Sequence, residues 1–191
     1  MCEHREEMYS SLLKHDSVGS EIGVFGGANA RNLLQYSKTL YLIDRWLMPG
    51  ASAKLVVEHN DRRGSVMSEF APHIESGRVK VLEMSSEDAS YVIPEKSLDW
   101  VYIDGNHEYP AALWDLSLYT PLVRVGGIVM LHDFTIKISN GAVIEATKYH
   151  VENIRDIVPI GKTSESCGKR LQHPTIALKK TKHVPIAKTW W

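Results

Sequence analysis

A chain of 191 residues, 43% hydrophobic and 24% charged, can bury one sizeable core and has the balance of a soluble globular protein. Its net charge of −1 gives no field that draws it to nucleic acid or to a membrane surface, and no apolar run approaches the roughly 20 residues of a membrane span. The two cysteines, Cys2 and Cys167, are too few for a disulfide framework, and the polar start MCEHREEMYSSLLKH has no secretory apolar stretch; the expectation is a single domain over 1–191 in the cytoplasm.

Residues 1–15 carry apolar side chains at Met8, Leu12 and Leu13 among charges, the weak periodicity of one amphipathic helix. Asp16-Ser17-Val18-Gly19 reads as a turn. The stretch from Ser20 to Leu33 then organises the chain: a buried strand with Ile22, Val24 and Phe25, a break at Gly26-Gly27, and a helix opening at Asn29. Strand, glycine turn and helix N-terminus form a cradle for a nucleotide-like ligand, because glycine permits sharp turns and close approach while free helix N–H groups point at the ligand. Glu21 precedes Gly23, the first glycine of that turn, and Gly27 closes it. A carboxylate there repels a pyrophosphate and suits a ligand with an ammonium or sulfonium group.

Thr39–Asp44 is a nearly all-apolar run ending in an acid, the pattern of a parallel strand buried on both faces. Asp44 stands 21 positions after Gly23, where a strand-terminal acid is placed to accept from ribose hydroxyls. Arg45 and Trp46 follow, and Trp46 lies against the base or walls the pocket. Two helices, 51–62 and 65–74, are expected with Gly64 and Gly77 as stops and with His59 and His73 on the surface. Residues 78–84 alternate as a third strand. Ser85-Ser86-Glu87-Asp88 starts a helix, as a cap, as base contacts through Ser86 and Glu87, or as both.

Residues 97–104 form a fourth strand ending at Asp104, followed by the polar Gly105-Asn106-His107-Glu108-Tyr109-Pro110 and a helix over 111–122. Gly126-Gly127 closes that connection before a fifth strand, 128–131, which runs into His132-Asp133-Phe134. A helix over 141–152, a strand over 154–160, a polar loop over 162–173 and a last strand over 175–179 complete the order. The last two strands have no helix between them and so pair antiparallel at one edge. Residues 180–191 are a basic tail ending in Trp190-Trp191, read as a mobile end or a subunit contact. Strands two, four and five thus end in a carboxylate or a histidine–carboxylate pair, and α/β sheets bind ligands beyond those ends. Burying such groups without partners is costly, so their repetition points to a site.

These elements resemble, in order, those of a class I S-adenosylmethionine-dependent methyltransferase: Glu21–Gly27, Leu42-Ile43-Asp44, Ser85-Ser86-Glu87, the IDGxHxY motif at Ile103–Tyr109, and Gly126-Gly127 to His132-Asp133. The chain is most similar to the small-molecule O-methyltransferase-like group with that motif. The resemblance spans about Ser20 to Phe134. It implies a doubly wound, Rossmann-like, seven-stranded, mostly parallel α/β sheet with an antiparallel last strand and helices on both faces. It also implies a cofactor-binding set of Glu21, Gly23, Phe25, Gly27, Asp44, Arg45, Ser86, Glu87 and Asp104. Phe25 departs from the wider superfamily, which often has a middle glycine there. A sulfonium cofactor arrives activated, so the protein must align an acceptor oxygen and take its proton. His107 is the favoured base and His132 its alternative, with Asp104 and Asp133 completing the catalytic set; either histidine also reads as a structural partner of a neighbouring carboxylate. Metal-dependent catechol-type relatives place ligands at positions like Asp104, His132 and Asp133, so a divalent ion such as magnesium belongs among the expectations, although histidine is unusual for magnesium.

The acceptor expected is a small molecule methylated on a hydroxyl oxygen, with no nucleic-acid or membrane partner. The short segment before the first strand leaves the site open or completed by a second subunit. Two rival readings stay in view. A glycine turn with Asp44 also serves an NAD-dependent oxidoreductase, and the fold can persist as a binding module that has lost its chemistry.

Overall fold

The computed structural model describes residues 5–46, 50–164, 166–167, 170–171 and 173–185. Its sheet has seven strands in the order β3-β2-β1-β4-β5-β9-β6. They are β1 (Ser17–Ile22), β2 (Ser37–Ile43), β3 (Val79–Leu82), β4 (Leu98–Ile103), β5 (Val123–Leu131), β6 (Ile157–Lys162) and, after a hairpin of β7 (Ser166–Cys167) with β8 (Arg170–Leu171), β9 (Ile176–Lys180). The first five pair in parallel; β9 lies antiparallel between β5 and β6. The Rossmann-like sheet with a reversed last strand is therefore present as the sequence implies.

Strand alternation divides the core in two. Ile22, Val101, Ile103 and Val129 face α5 (Ser86–Val92), α6 (Tyr109–Tyr119) and α7 (Ala142–Asn153). Leu40, Leu42, Trp100, Tyr102 and Met130 face α1 (Arg5–Leu12), α2 (Ala28–Leu34) and α3 (Ala53–Glu69), with the short α4 (Ala71–Glu75) after it. Each large side chain buried this way contributes about 1.5–3 kcal/mol. Trp100 is accommodated because its neighbour in β1 is Gly19: a Cβ there would lie 2.0 Å from the indole.

Several boundaries differ from expectation. Only Asp16 keeps the turn conformation, with φ +67°; Ser17, Val18 and Gly19 already pair in β1. Gly64 does not stop α3, since glycine costs only about 1 kcal/mol in a helix interior and the 17-residue helix absorbs that. Gly126 and Gly127 lie inside β5, where the register with β4 shifts and a Cβ on Gly127 would meet the Asp99 carbonyl at 2.5 Å. The polar loop after β6 contains the β7–β8 hairpin. Lys180 belongs to β9 rather than to a solvated tail: it is buried, and its ammonium donates to the carbonyls of Thr120 (2.6 Å) and Val123 (2.7 Å). The expectations for residues 1–4, for the turn at Pro49 and for the end at Trp190-Trp191 lie outside the described residues. Among the described residues, no helix is long and apolar enough to cross a membrane.

Candidate active site

Three strand ends meet at one cleft of about 750 Å³. β1 delivers Gly23, whose φ is +83° and whose added Cβ would lie 2.0 Å from the Asp104 carbonyl oxygen. No side chain fits, so the backbone runs bare along the cleft. Asp44, just beyond β2, ties two loops together. Its Oδ2 accepts the Phe25 N–H at 2.8 Å and its Oδ1 accepts the Trp46 N–H at 2.7 Å. Trp46 in turn donates its indole N–H to the Phe25 carbonyl at 2.8 Å. Phe25 (φ +53°) and Trp46 (φ +47°) both adopt left-handed backbone, a cost of order 1–3 kcal/mol each that the Asp44 bonds offset. Each carboxylate oxygen keeps a further lone pair for a ligand hydroxyl.

Phe25 corrects one expectation. It is not a buried strand residue but is 61% exposed, and the Arg62 guanidinium lies 3.9 Å from its ring centroid. His59 also departs from the surface role expected of it: its Nδ1 bonds the Trp46 carbonyl, and the ring lines the cleft. Across the cleft, the Ser85 hydroxyl accepts the Asp88 N–H and caps α5, which sets Ser86 and Glu87 in the wall.

The far end holds a histidine–carboxylate cluster. His107 Nε2 lies 3.3 Å from Asp104 Oδ1 and 2.9 Å from Asp133 Oδ2. His132 Nδ1 lies 3.2 Å from an oxygen of each of the same carboxylates. His173, from the segment before β9, bonds Asp133 Oδ1 at 2.6 Å and stacks on His132 with centroids 6.0 Å apart. Hydrogen bonds that its N–H donates to the two carboxylates push His107 up to about 10. Burial opposes protonation of His132, yet the same carboxylates raise it to about 9. For Asp133 burial works against ionisation, but the imidazoles win and hold it far below the usual carboxylate range. One ligand atom from each of Asp104, His107 and Asp133 falls within 4.8 Å of the others, a spacing that could hold a metal ion.

Gly23, Phe25, Asp44, Arg45, Ser86, Glu87, Asp104 and His107, all singled out in the sequence, line the cleft. The others do not. Gly27 ends the turn at φ +78° under α3, where a Cβ would meet Phe70 and Val66 at 3.2 Å. His132 and Asp133 touch Asp104 and His107 from behind. Glu21 is 1% exposed on the α1–α2 face; its Oε1 accepts from Asn29 Nδ2 at 2.9 Å, while its Oε2 is buried without a partner. Burial pushes this carboxyl up to about 8. Sequence reading missed Trp114, Asp115 and His173. Asp115 left a signal, a lone acid in the apolar helix YPAALWDLSLY; it is buried, raised by that burial to about 6, and lines the cleft. His173 left none, because only the folded chain brings it to Asp133.

A protein-family model for the methyltransferase domain matches residues 20–134. A protein of Acanthamoeba polyphaga mimivirus is 25% identical over 134 residues, covering 68% of this chain; the match spans 57% of that relative's length. Among solved structures, an rRNA methylase from Streptococcus thermophilus superposes with a TM-score of 0.64 at 12% identity, covering 95% of this chain and 99% of its own. A Streptococcus mutans protein in complex with SAH gives 0.64 at 9% identity, with 94% and 99% covered. The N-methyltransferase NodS from Bradyrhizobium japonicum gives 0.62 at 13%, with 93% and 95% covered. With more than half its length matched by that model, this chain belongs to the methyltransferase domain family.

Proposed function

We propose that the chain moves a methyl group from S-adenosylmethionine to a hydroxyl oxygen of a small-molecule acceptor. The observation that carries this reading is His107, which stands in the wall of the same cleft as Gly23 and Asp44 and is held there by two carboxylates. The residues fit the cofactor. Gly23 leaves bare backbone, the unpartnered Oε2 of Glu21 suits the methionine ammonium, Asp44 has acceptor capacity for ribose hydroxyls, and Ser86 and Glu87 suit the base. When bound, the cofactor supplies a methyl group already activated on sulfonium. The protein's part is to align the acceptor oxygen, exclude water and take the proton at His107 Nδ1, since Nε2–H is already donated to Asp104 and Asp133.

A second reading rests on the Asp104–His107–Asp133 spacing. A divalent cation held there would take the place of the imidazole protons and lower the acceptor hydroxyl's pKa, so that His107 acts as a ligand instead of a base. The mixed imidazole–carboxylate set suits manganese, iron or zinc better than magnesium.

The test is SAH formation from labelled cofactor over panels of phenols, sugars, amines and ribosomal RNA, with and without each metal. Turnover on hydroxyl compounds, lost in His107→Ala, supports the reading. Turnover confined to RNA or amines overturns the acceptor class, and binding without turnover on any panel favours a module without chemistry.

A further inference from the structure

A chain of contacts that begins on the N-terminal helix orients Glu21, which is buried beside Ile22 and Gly23 of the cleft wall. The Tyr9 hydroxyl donates to Asn29 Oδ1 at 2.8 Å, and Asn29 Nδ2 donates to Glu21 Oε1 at 2.9 Å. Tyr9 is wholly buried, its ring edge-on to Tyr102 at 5.9 Å and to Tyr36 at 6.4 Å. Asn29 is only half-buried, in the first turn of the seven-residue α2. A side chain in that position can swing to water, and the Tyr9 bond holds it inward over Glu21 instead. On the same helix, Arg5 donates to the Tyr102 hydroxyl at 3.3 Å, and Tyr102 pairs opposite Glu21 across the β1–β4 ladder.

We propose that Tyr9 is a positioning residue for cofactor binding, acting through Asn29 on Glu21, so that docking of α1 and binding at the methionine end of the cleft are energetically coupled. This rests on the reading that Glu21 meets the cofactor's ammonium. An ionised Glu21 needs a donor on Oε1 to leave Oε2 for the ligand, and only Asn29 supplies one among the described side chains. The hydroxyl of Tyr9 fixes the amide so that nitrogen, not oxygen, faces the carboxylate. The charged or titratable groups around Glu21 are Arg5 and Tyr9 on α1, Asp44 after β2, and Tyr102 and Asp104 at the end of β4. Of these only Arg5 is cationic, and among the described residues it makes no ion pair.

The experiment is calorimetric titration of the full chain with SAH at several pH values, for wild type, Glu21→Gln, Tyr9→Phe and Asn29→Asp. Tyr9→Phe keeps the packed ring and removes only the hydroxyl; Asn29→Asp keeps the acceptor for Tyr9 and removes the donor to Glu21. Each should weaken SAH binding about tenfold, the scale of one hydrogen bond to a charged group. Each should also move the pH midpoint of binding upward, because Glu21 ionises less readily without its donor. A purely structural Tyr9 would lower the melting temperature yet leave affinity and midpoint at wild-type values; that result overturns the inference while the cofactor reading stands. Wild type that fails to bind SAH at any pH overturns both.

Discussion

Replacing Glu21 by glutamine should stabilise the ligand-free protein at alkaline pH while abolishing its affinity for SAH. The carboxyl is buried with one oxygen unpartnered, and its folded value is about 8 against an ordinary 4.5. Between those limits the folded chain holds a proton that the unfolded chain has lost. Stability therefore falls as pH rises through this window, at about 1.4 kcal/mol per pH unit. Integrated to pH 8 the penalty is on the order of 3 to 5 kcal/mol, the higher figure applying if the interior does not relax. Glutamine is isosteric with the protonated acid and never ionises, so the two proteins should match near pH 4.5 and diverge above it. His107 and His132 also cost stability as pH rises, from the ordinary 6.5 toward about 10 and 9, but they are common to both proteins and cancel in the difference. Urea unfolding of wild type and Glu21→Gln at half-unit intervals from pH 4.5 to 8.5 gives that difference directly. A gap that stays constant across the series would refute the burial argument.

The bare backbone at Gly23 gives a harsher test: Gly23→Ala puts a Cβ 2.0 Å from the Asp104 carbonyl at φ +83°, so it should lower the melting temperature by several degrees or prevent folding, and an unchanged melt would refute the packing described. Gly64→Ala should do the reverse, because the site is mid-helix with nothing within 4 Å of the new carbon; a gain of about 0.5–1 kcal/mol in urea unfolding is expected. His107→Ala should cut turnover roughly 100- to 10,000-fold and leave SAH affinity nearly unchanged in a parallel titration. In metal-free wild type, the rate should climb from pH 7 toward about 10, since His107 carries a proton at neutral pH and cannot act as a base until it loses it. A cation at Asp104–His107–Asp133 would displace that proton and move the rise to lower pH.

The sheet was legible because both-face burial writes continuous apolar runs, and Thr39–Ile43 and Leu98–Ile103 can be read as little else. The polar residues that follow these strands marked the cleft for the same reason: an acid after a run like LYLI needs a function or a partner. What escaped was set by tertiary geometry. Gly126 and Gly127 look like loop residues until the bulge against β4 shows that Gly126 takes a left-handed φ of +85° and that only a bare backbone at Gly127 clears Asp99. Phe25 reads as a strand residue by hydrophobicity, yet the Asp44 carboxylate pulls its N–H into a left-handed turn and leaves the ring outside. Glu21 could be recognised as unsuited to phosphate, but not as a carboxyl held protonated under two helices. His173 reaches Asp133 across 40 residues of sequence, and no local pattern announces it.

Calorimetric titration with SAH of wild type and Asp44→Ala, each with and without added divalent metal, tests the central claim most directly. Asp44 accepts the N–H groups of both Phe25 and Trp46, so alanine loosens the cleft wall and removes the ribose acceptor together. Saturable one-site binding by wild type, lost or weakened at least a hundredfold in the variant, is the result expected. No binding of SAH by wild type in any metal condition, or binding of NADH in its place, would contradict the account.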